Sequence, residues 1–209
     1  MTSAVADQPP TEIEQLTIGA DSAAWRRAGF GVEGAETRAG GVNLHFAQGD
    51  GILGWRLSRD ADEIDGLPLA APAASPAPVE SHPNGVVLID HLVVLTPDLG
   101  RTTDALRELG LERRRVREVE TDDGTLRQGF FRLGEVILEA VEHARIDPGP
   151  ARFWGITFAV EDLDAAAELL GDRLGSIRDA VQPGRRIATV RREAGLGLPV
   201  ALISAERQG

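Results

Sequence analysis

The apolar positions of this chain follow a pattern that recurs along its length, and the clearest copy runs from Val86 to Val160. The segment VVLIDHLVVL (86–95) is too apolar for a strand with one wet face and reads as a central strand. Thr96-Pro97-Asp98 then opens a helix, with Thr96 as cap and Pro97 at the first helical position. Leu99, Thr102, Leu106 and Leu109 repeat at helical spacing, and Gly110 stops the helix. ERRRVREVE (112–120) leads to the turn Asp122-Asp123-Gly124, after which LRQGFFRL and EVILEAVE form a hairpin across Gly134. The unit is β-α-β-β-β, and Pro148-Gly149-Pro150 closes it.

FWGITFAVEDL begins the same pattern again at an offset of 64, which carries Pro97-Asp98-Leu99 onto Glu161-Asp162-Leu163 and His91 onto Gly155. A helix is expected over 162–171, with RRIATVRR and LPVALIS as later strands. At an offset of 76 the N-terminal part follows a degenerate version of the plan, and Gln15 falls under His91. There IEQLTIGA is a strand, DSAAWRRAGF a short helix capped by Asp21 or Ser22, and GGVNLHFAQGDGILGWRLS (40–58) two strands around a turn. His45 alternates with Leu44 and Phe46 and so reads as a solvated strand residue. ILGWRLS is expected as the last strand of this first module, with Gly54 opposite Glu139. Internal repetition on this scale is a fold-level signal that outranks any single residue.

These readings divide the chain into a disordered tail (1–11), a degenerate N-terminal module (12–65), a linker (66–85) and a two-module domain (86–207). The two modules of that domain span 86–147 and 151–205. The linker, GLPLAAPAASPAPVESHPNG, holds five prolines among small residues, and His82 within it reads as a surface residue.

Composition narrows the chemistry. The chain has 209 residues, no cysteine, and a formal net charge of −11. That excludes disulfides, thiolate catalysis and thiolate-bound metals, and it argues against non-specific nucleic-acid binding. All 22 basic residues are arginine; without lysine, a phosphate-binding P-loop and Schiff-base catalysis are ruled out. No apolar run approaches a membrane span, the N-terminus is not a signal peptide, and a cytoplasmic location is expected.

His91 on the first strand of the middle module and Glu139 on its last are unusual side chains for apolar strands. Facing one cavity, they would form either a hydrogen-bonded polar pair or a catalytic one, with Glu139 abstracting a proton alpha to a carbonyl and His91 polarising or shuttling. Phe130, Phe131, Phe153 and Trp154 flank the join between the modules, as core or as pocket wall. Arg127 and Arg132 share the strand of Phe130, and Arg185 in Gln182-Pro183-Gly184-Arg185-Arg186 would clamp a ligand carboxylate or phosphate over the mouth. The expected ligand set is Phe130, Arg132, Trp154, Arg127 and Arg185.

At IDHLVVLTPDL, LGEVILEAVE and GITFAVEDLDAA the sequence resembles the vicinal oxygen chelate superfamily, which includes glyoxalase I, methylmalonyl-CoA epimerase, extradiol dioxygenases and the bleomycin-resistance proteins. The resemblance implies an α+β fold in which paired β-α-β-β-β modules form a curled mixed sheet around a cavity. It also implies metal ligands on the first and last strand of each module. His91 and Glu139 match two of those positions, whereas Gly155 and Ala201 or Leu202 stand where the second pair belongs. Gln15 would add a third ligand if the first and middle modules paired. Two readings follow. One is a protein that binds a small organic molecule without a complete metal site and has no cofactor. The other is a lyase, isomerase or dioxygenase using a divalent Zn, Mn, Fe or Ni ion on His91 and Glu139, with Gln15 or water completing the shell. Three modules also leave one without a partner, so the first is expected either to pack on the paired domain or to be buried in a homodimer.

Overall fold

The computed structural model describes residues 9–71 and 81–205. Most of the expected tail, the middle of the expected linker, and residues 206–207 of the two-module domain lie outside the described residues. The described residues form two sheets. The N-terminal one contains β1 (Ile13–Gly19), β2 (Glu36–Ala39), β3 (Val42–Ala47) and β4 (Gly51–Leu57), with α1 (Ser22–Arg27) between the first two. Asp21 caps α1 by accepting from the Ala23 N–H at 2.9 Å.

The larger sheet holds two complete modules. The first is β5 (Val86–Thr96), α2 (Leu99–Glu108), β6 (Arg113–Thr121), β7 (Gly124–Leu133) and β8 (Val136–Glu142). The second is β9 (Arg152–Val160), α3 (Leu163–Leu170), β10 (Arg178–Asp179), β11 (Arg186–Thr189) and β12 (Val200–Ser204). The strand order is β10-β11-β12-β9-β5-β8-β7-β6. In both modules the first strand runs parallel to the last, β5 with β8 and β9 with β12, and the modules join through antiparallel β5 and β9. The repeat predicts the two β-α-β-β-β modules, and their joining in one curled α+β sheet is what the resemblance implies.

The helices start one notch later than the Thr-Pro pattern suggests. Asp98, not Thr96, caps α2, its carboxylate accepting from the Arg101 N–H at 2.9 Å. Asp162 does the same for α3 at the equivalent position. Thr96 instead accepts from the Asp98 N–H at 3.1 Å and shapes the turn that enters the helix.

The first module departs from the expected order. Its sheet runs β2-β3-β1-β4, with β1 parallel to β3 and antiparallel to β4. The strand in the last-strand place is therefore β3, not β4. β4 sits beside β1 as β9 sits beside β5, where the opening strand of a further module would be. Gly54 lets the following chain close on the other edge of β4: a Cβ there would lie 3.1 Å from the Pro68 carbonyl oxygen and 3.2 Å from the Ala70 nitrogen. The chain at 68–70 lies against β4, bonding Trp55 through Trp55 N–H to Pro68 O (3.0 Å) and Ala70 N–H to Trp55 O (2.8 Å).

One apolar core serves both sheets. Trp25 of α1, fully buried, meets Phe46 at 5.1 Å and Phe158 of β9 at 6.0 Å between ring centroids, and Trp55 of β4 meets Phe153 at 5.2 Å. Burying each such ring is worth roughly 1.5–3 kcal/mol. The first module thus packs on the paired modules, the first of the two expected alternatives.

The ends of the Pro-rich stretch are also pinned. Asp65, with a left-handed φ of 48°, accepts from Arg101 at 2.5 Å and from the Thr102 hydroxyl at 2.5 Å. Buried Asn84 donates to the Ala28 carbonyl at 2.9 Å. His82 is not a free surface residue. Its Nδ1 accepts from the Gly31 N–H at 3.0 Å, its Nε2–H donates to the Arg38 carbonyl at 2.8 Å, and its ring stands edge-on to Phe30 at 5.8 Å. Sequence position alone gave no sign that Phe30 and the 31–38 segment fold back to receive it.

Candidate functional site

Directly paired residues on neighbouring strands share a face of the sheet. His91 pairs with Ile137 and Val93 with Glu139 across β5 and β8. Glu139 pairs with Phe130 across β8 and β7, and Phe130 with Arg115 across β7 and β6. His91, Glu139, Phe130 and Arg115 therefore stand on one face. The alternate residues Leu92, Leu138 and Phe131 are fully buried on the other. Alternation in the sequence separates a dry face from one that carries chemistry.

Together with Asp90, Arg114, Ile137 and Gln182, these four residues line a cavity of about 280 Å³. The structure thus brings His91 and Glu139 into one pocket, with Phe130 and Ile137 as its apolar wall. The Arg115 guanidinium lies over the Phe130 ring, 4.8 Å from its centroid. Neither Arg114 nor Arg115 has an ion pair among the described residues.

Asp90 enters the site through an irregularity. Ile89 pairs with Phe158 and His91 with Thr157, so Asp90 is the extra residue of a bulge in β5. Its carboxylate lies 2.8 Å from His91 Nδ1 and 2.6 Å from Arg185 Nη1. Burial pushes this carboxyl upward, but the hydrogen bonds and charges of His91 and Arg185 outweigh it and hold the group below its ordinary value. Glu139 accepts a short hydrogen bond from the Gln128 amide nitrogen, while Gln128 Oε1 is buried without a hydrogen bond among the described residues.

The remaining candidates fall elsewhere. Arg185 does not extend over the mouth: it is 7% exposed and turned inward to Asp90, with its Nε–H donated to the Ser204 carbonyl at 2.7 Å. Arg127 pairs with Glu142 at 3.1 Å and Glu118 at 3.2 Å, on the opposite face from Gln128, and lines a separate open cavity. Arg132 is exposed on the strand of Phe130 and does not line the His91 pocket. Trp154 is 50% exposed on β9, at the irregularity between the Val93–Gly155 and Val94–Phe153 pairs. Gln15 is buried in the other sheet, donating to Thr17 at 3.2 Å and to the Ala71 carbonyl at 3.4 Å, and does not join His91 and Glu139.

Asp90, Arg114 and Arg115 are the site residues that pattern reading missed. The run ERRRVREVE hints at the arginines, since alternation would place some of them beside the strand of Phe130. Nothing in the sequence marks the bulge that carries Asp90.

A metal of the kind the resemblance implies would need further donors. Register confirms Ala201 at the position matching Glu139, because Thr157 pairs with Ala201 as Val93 pairs with Glu139. Gly155, matching His91, is closed to any side chain: a Cβ there would lie 2.6 Å from the Pro199 carbonyl oxygen. No group of three or more His, Cys, Asp or Glu side chains among the described residues is arranged to hold a metal ion. His91 and Glu139 supply two donors where a catalytic site keeps about three, so the residues present do not fit a resident metal.

A family model described as Glyoxalase/Bleomycin resistance protein/Dioxygenase superfamily matches residues 88–190. No curated protein matches the chain. Among solved structures, a mutant of 4-hydroxymandelate synthase from Streptomyces coelicolor is similar over 96% of this chain and 94% of its own, with 14% identity and a TM-score of 0.64. Methylmalonyl-CoA epimerase from Mycobacterium tuberculosis is similar over 59% of this chain and 91% of its own, with 18% identity and a TM-score of 0.47. A variant epimerase from Streptomyces coelicolor in complex with 2-nitronate-propionyl-CoA covers 58% and 96%, with 22% identity and a TM-score of 0.47. At these identities the likeness is one of fold. No helix of the described residues is long and apolar enough to cross a membrane.

Proposed function

We propose a function for a chain that belongs, through residues 88–190, to the Glyoxalase/Bleomycin resistance protein/Dioxygenase superfamily: it binds a small, largely apolar organic anion in the His91–Glu139 pocket, without a resident metal. The observation that carries this reading is Arg115 stacked on Phe130 beside Arg114, two cations without ion pairs among the described residues, in a chain whose net charge is −11. Phe130 and Ile137 supply the apolar wall such pockets use, and a guanidinium fixed over a ring offers its edge to a carboxylate. Glu139 repels an anion at its own end, so the ligand's carboxylate belongs at the arginine end. The chemistry available is orientation and sequestration.

The competing reading is a divalent ion on His91 and Glu139, favoured by the free Nε2 that the Asp90 contact leaves on His91. Elemental analysis of protein purified without chelator separates the two. The binding reading expects no stoichiometric metal and an unchanged affinity for 3-phenylpropionate after chelator treatment. A stoichiometric metal lost on His91→Ala contradicts it.

A further inference from the structure

Asp90 uses both oxygens of its carboxylate on different partners, Oδ2 on His91 Nδ1 at 2.8 Å and Oδ1 on Arg185 at 2.6 Å. Arg185 is buried and fixed in turn by the Ser204 carbonyl, and Asp90 is largely covered, so the pair is a built device, not a surface contact. A carboxylate clamped by a guanidinium only accepts hydrogen bonds. In the neutral ring of His91 the proton must then sit on Nδ1, which leaves the lone pair on Nε2.

The pocket is polar at both ends. Arg114 and Arg115 lie on β6 and His91 on β5, with β7 and β8 between them in the sheet. Three strand spacings put the two backbones about 14 Å apart, a span that long side chains shorten. One end offers cations, and the other offers acceptors on His91 and Glu139.

We infer that Arg185 and Asp90 are positioning residues that hold His91 in the Nδ1–H tautomer, so that Nε2 selects organic anions carrying a hydroxyl or N–H donor at the end away from the carboxylate. The ligand half of this inference rests on the anion-binding reading above, whereas the tautomer half does not.

The test uses the full chain and two measurements. Side-chain ¹⁵N spectra of ligand-free protein, recorded at mildly alkaline pH, should show His91 with a protonated Nδ1 and a bare Nε2. Asp90→Asn should move the proton toward Nε2, and Asp90→Glu should restore the original pattern at least in part. A wild-type ring protonated on Nε2 overturns the positioning half, and this readout needs no variant to fold. By calorimetry, 6-hydroxyhexanoate should bind roughly three- to ten-fold tighter than hexanoate, the worth of one neutral hydrogen bond. Equal affinities overturn the ligand half. If neither acid binds while the tautomer holds, the anion-binding reading falls with the ligand half and the positioning half stands. If both bind as expected but Nε2 carries the proton, the positioning half falls and so does the role of Nε2 as acceptor, leaving Glu139 as the group that receives the donor.

Discussion

His45 holds in the four-stranded sheet the place that Glu139 holds in the larger one: Thr17 pairs with His45 across parallel β1 and β3, as Val93 pairs with Glu139 across β5 and β8. Gln15 takes the place of His91 in the same comparison, pairing with Asn43 as His91 pairs with Ile137. The two sheets thus carry polar residues at matching positions, but the larger one has Phe130, Arg114 and Arg115 beside them, the two arginines without ion pairs among the described residues.

His45 is 36% exposed at its side chain, and its Nδ1 lies 3.4 Å from a Glu36 carboxylate oxygen. His45→Ala should change stability by no more than about 0.5 kcal/mol in urea unfolding. It should also leave 3-phenylpropionate binding unchanged. Loss of binding would place the ligand in the wrong sheet.

Gly155 lies where a second His would complete a metal site, and Pro199 closes that position. Gly155→Ala should destabilise by roughly 1–3 kcal/mol, because the clash is with backbone that cannot swing aside. Urea titration measures it. A neutral substitution would mean that the β9 strand yields and that the position is open to a ligand side chain after all.

Arg115→Gln should weaken 3-phenylpropionate binding by at least about ten-fold, since a hydrogen bond to a charged group is worth about 1.5–3 kcal/mol. Arg132→Gln, on the neighbouring strand but outside the pocket lining, should leave it unchanged. Calorimetry on both variants distinguishes a site-specific contact from a general loss of positive charge.

His82 makes stability depend on pH. Burial lowers its affinity for a proton below the ordinary value of 6.5, against the opposing pull of the Arg38 carbonyl. Its Nδ1 accepts from Gly31, so protonation would also break that bond. The unfolded chain takes up the proton more readily, so this contribution is present above pH 6.5 and is lost as the pH falls through the folded value. Wild-type protein should therefore lose stability between neutral pH and about pH 5 more steeply than His82→Gln, as thermal melts across that range would show.

The fold was legible where periodicity is strict. β5, α2 and the β7–β8 hairpin sit where their apolar spacing predicts, and the offset of 64 carries Asp98 onto Asp162 as helix caps. Strand parity also placed Glu139 on the polar side, with Ala140 and Leu138 on the dry one. Pairing partners were less legible, because alternation fixes which face a residue occupies but not which strand lies beside it. That is why the sequence points to β4 as the last strand, where the structure has β3. The bulge at Asp90 was hidden for a related reason. Consecutive residues are expected on opposite faces, and a bulge suspends that rule for one residue. Arg185 reads as a mouth residue because it sits in a Pro-Gly turn, and only tertiary structure shows the half-buried Asp90 carboxylate that turns it inward.

The central claim is that the His91–Glu139 pocket takes an organic anion without a metal. Amide chemical-shift mapping on chelator-treated ¹⁵N-labelled protein, titrated with 3-phenylpropionate, tests it most directly. The account predicts saturable shifts clustered at Asp90, His91, Arg114, Arg115, Phe130 and Glu139. No shifts there until a divalent ion is added, or shifts centred on the Gln15–His45 face of the smaller sheet, would contradict it.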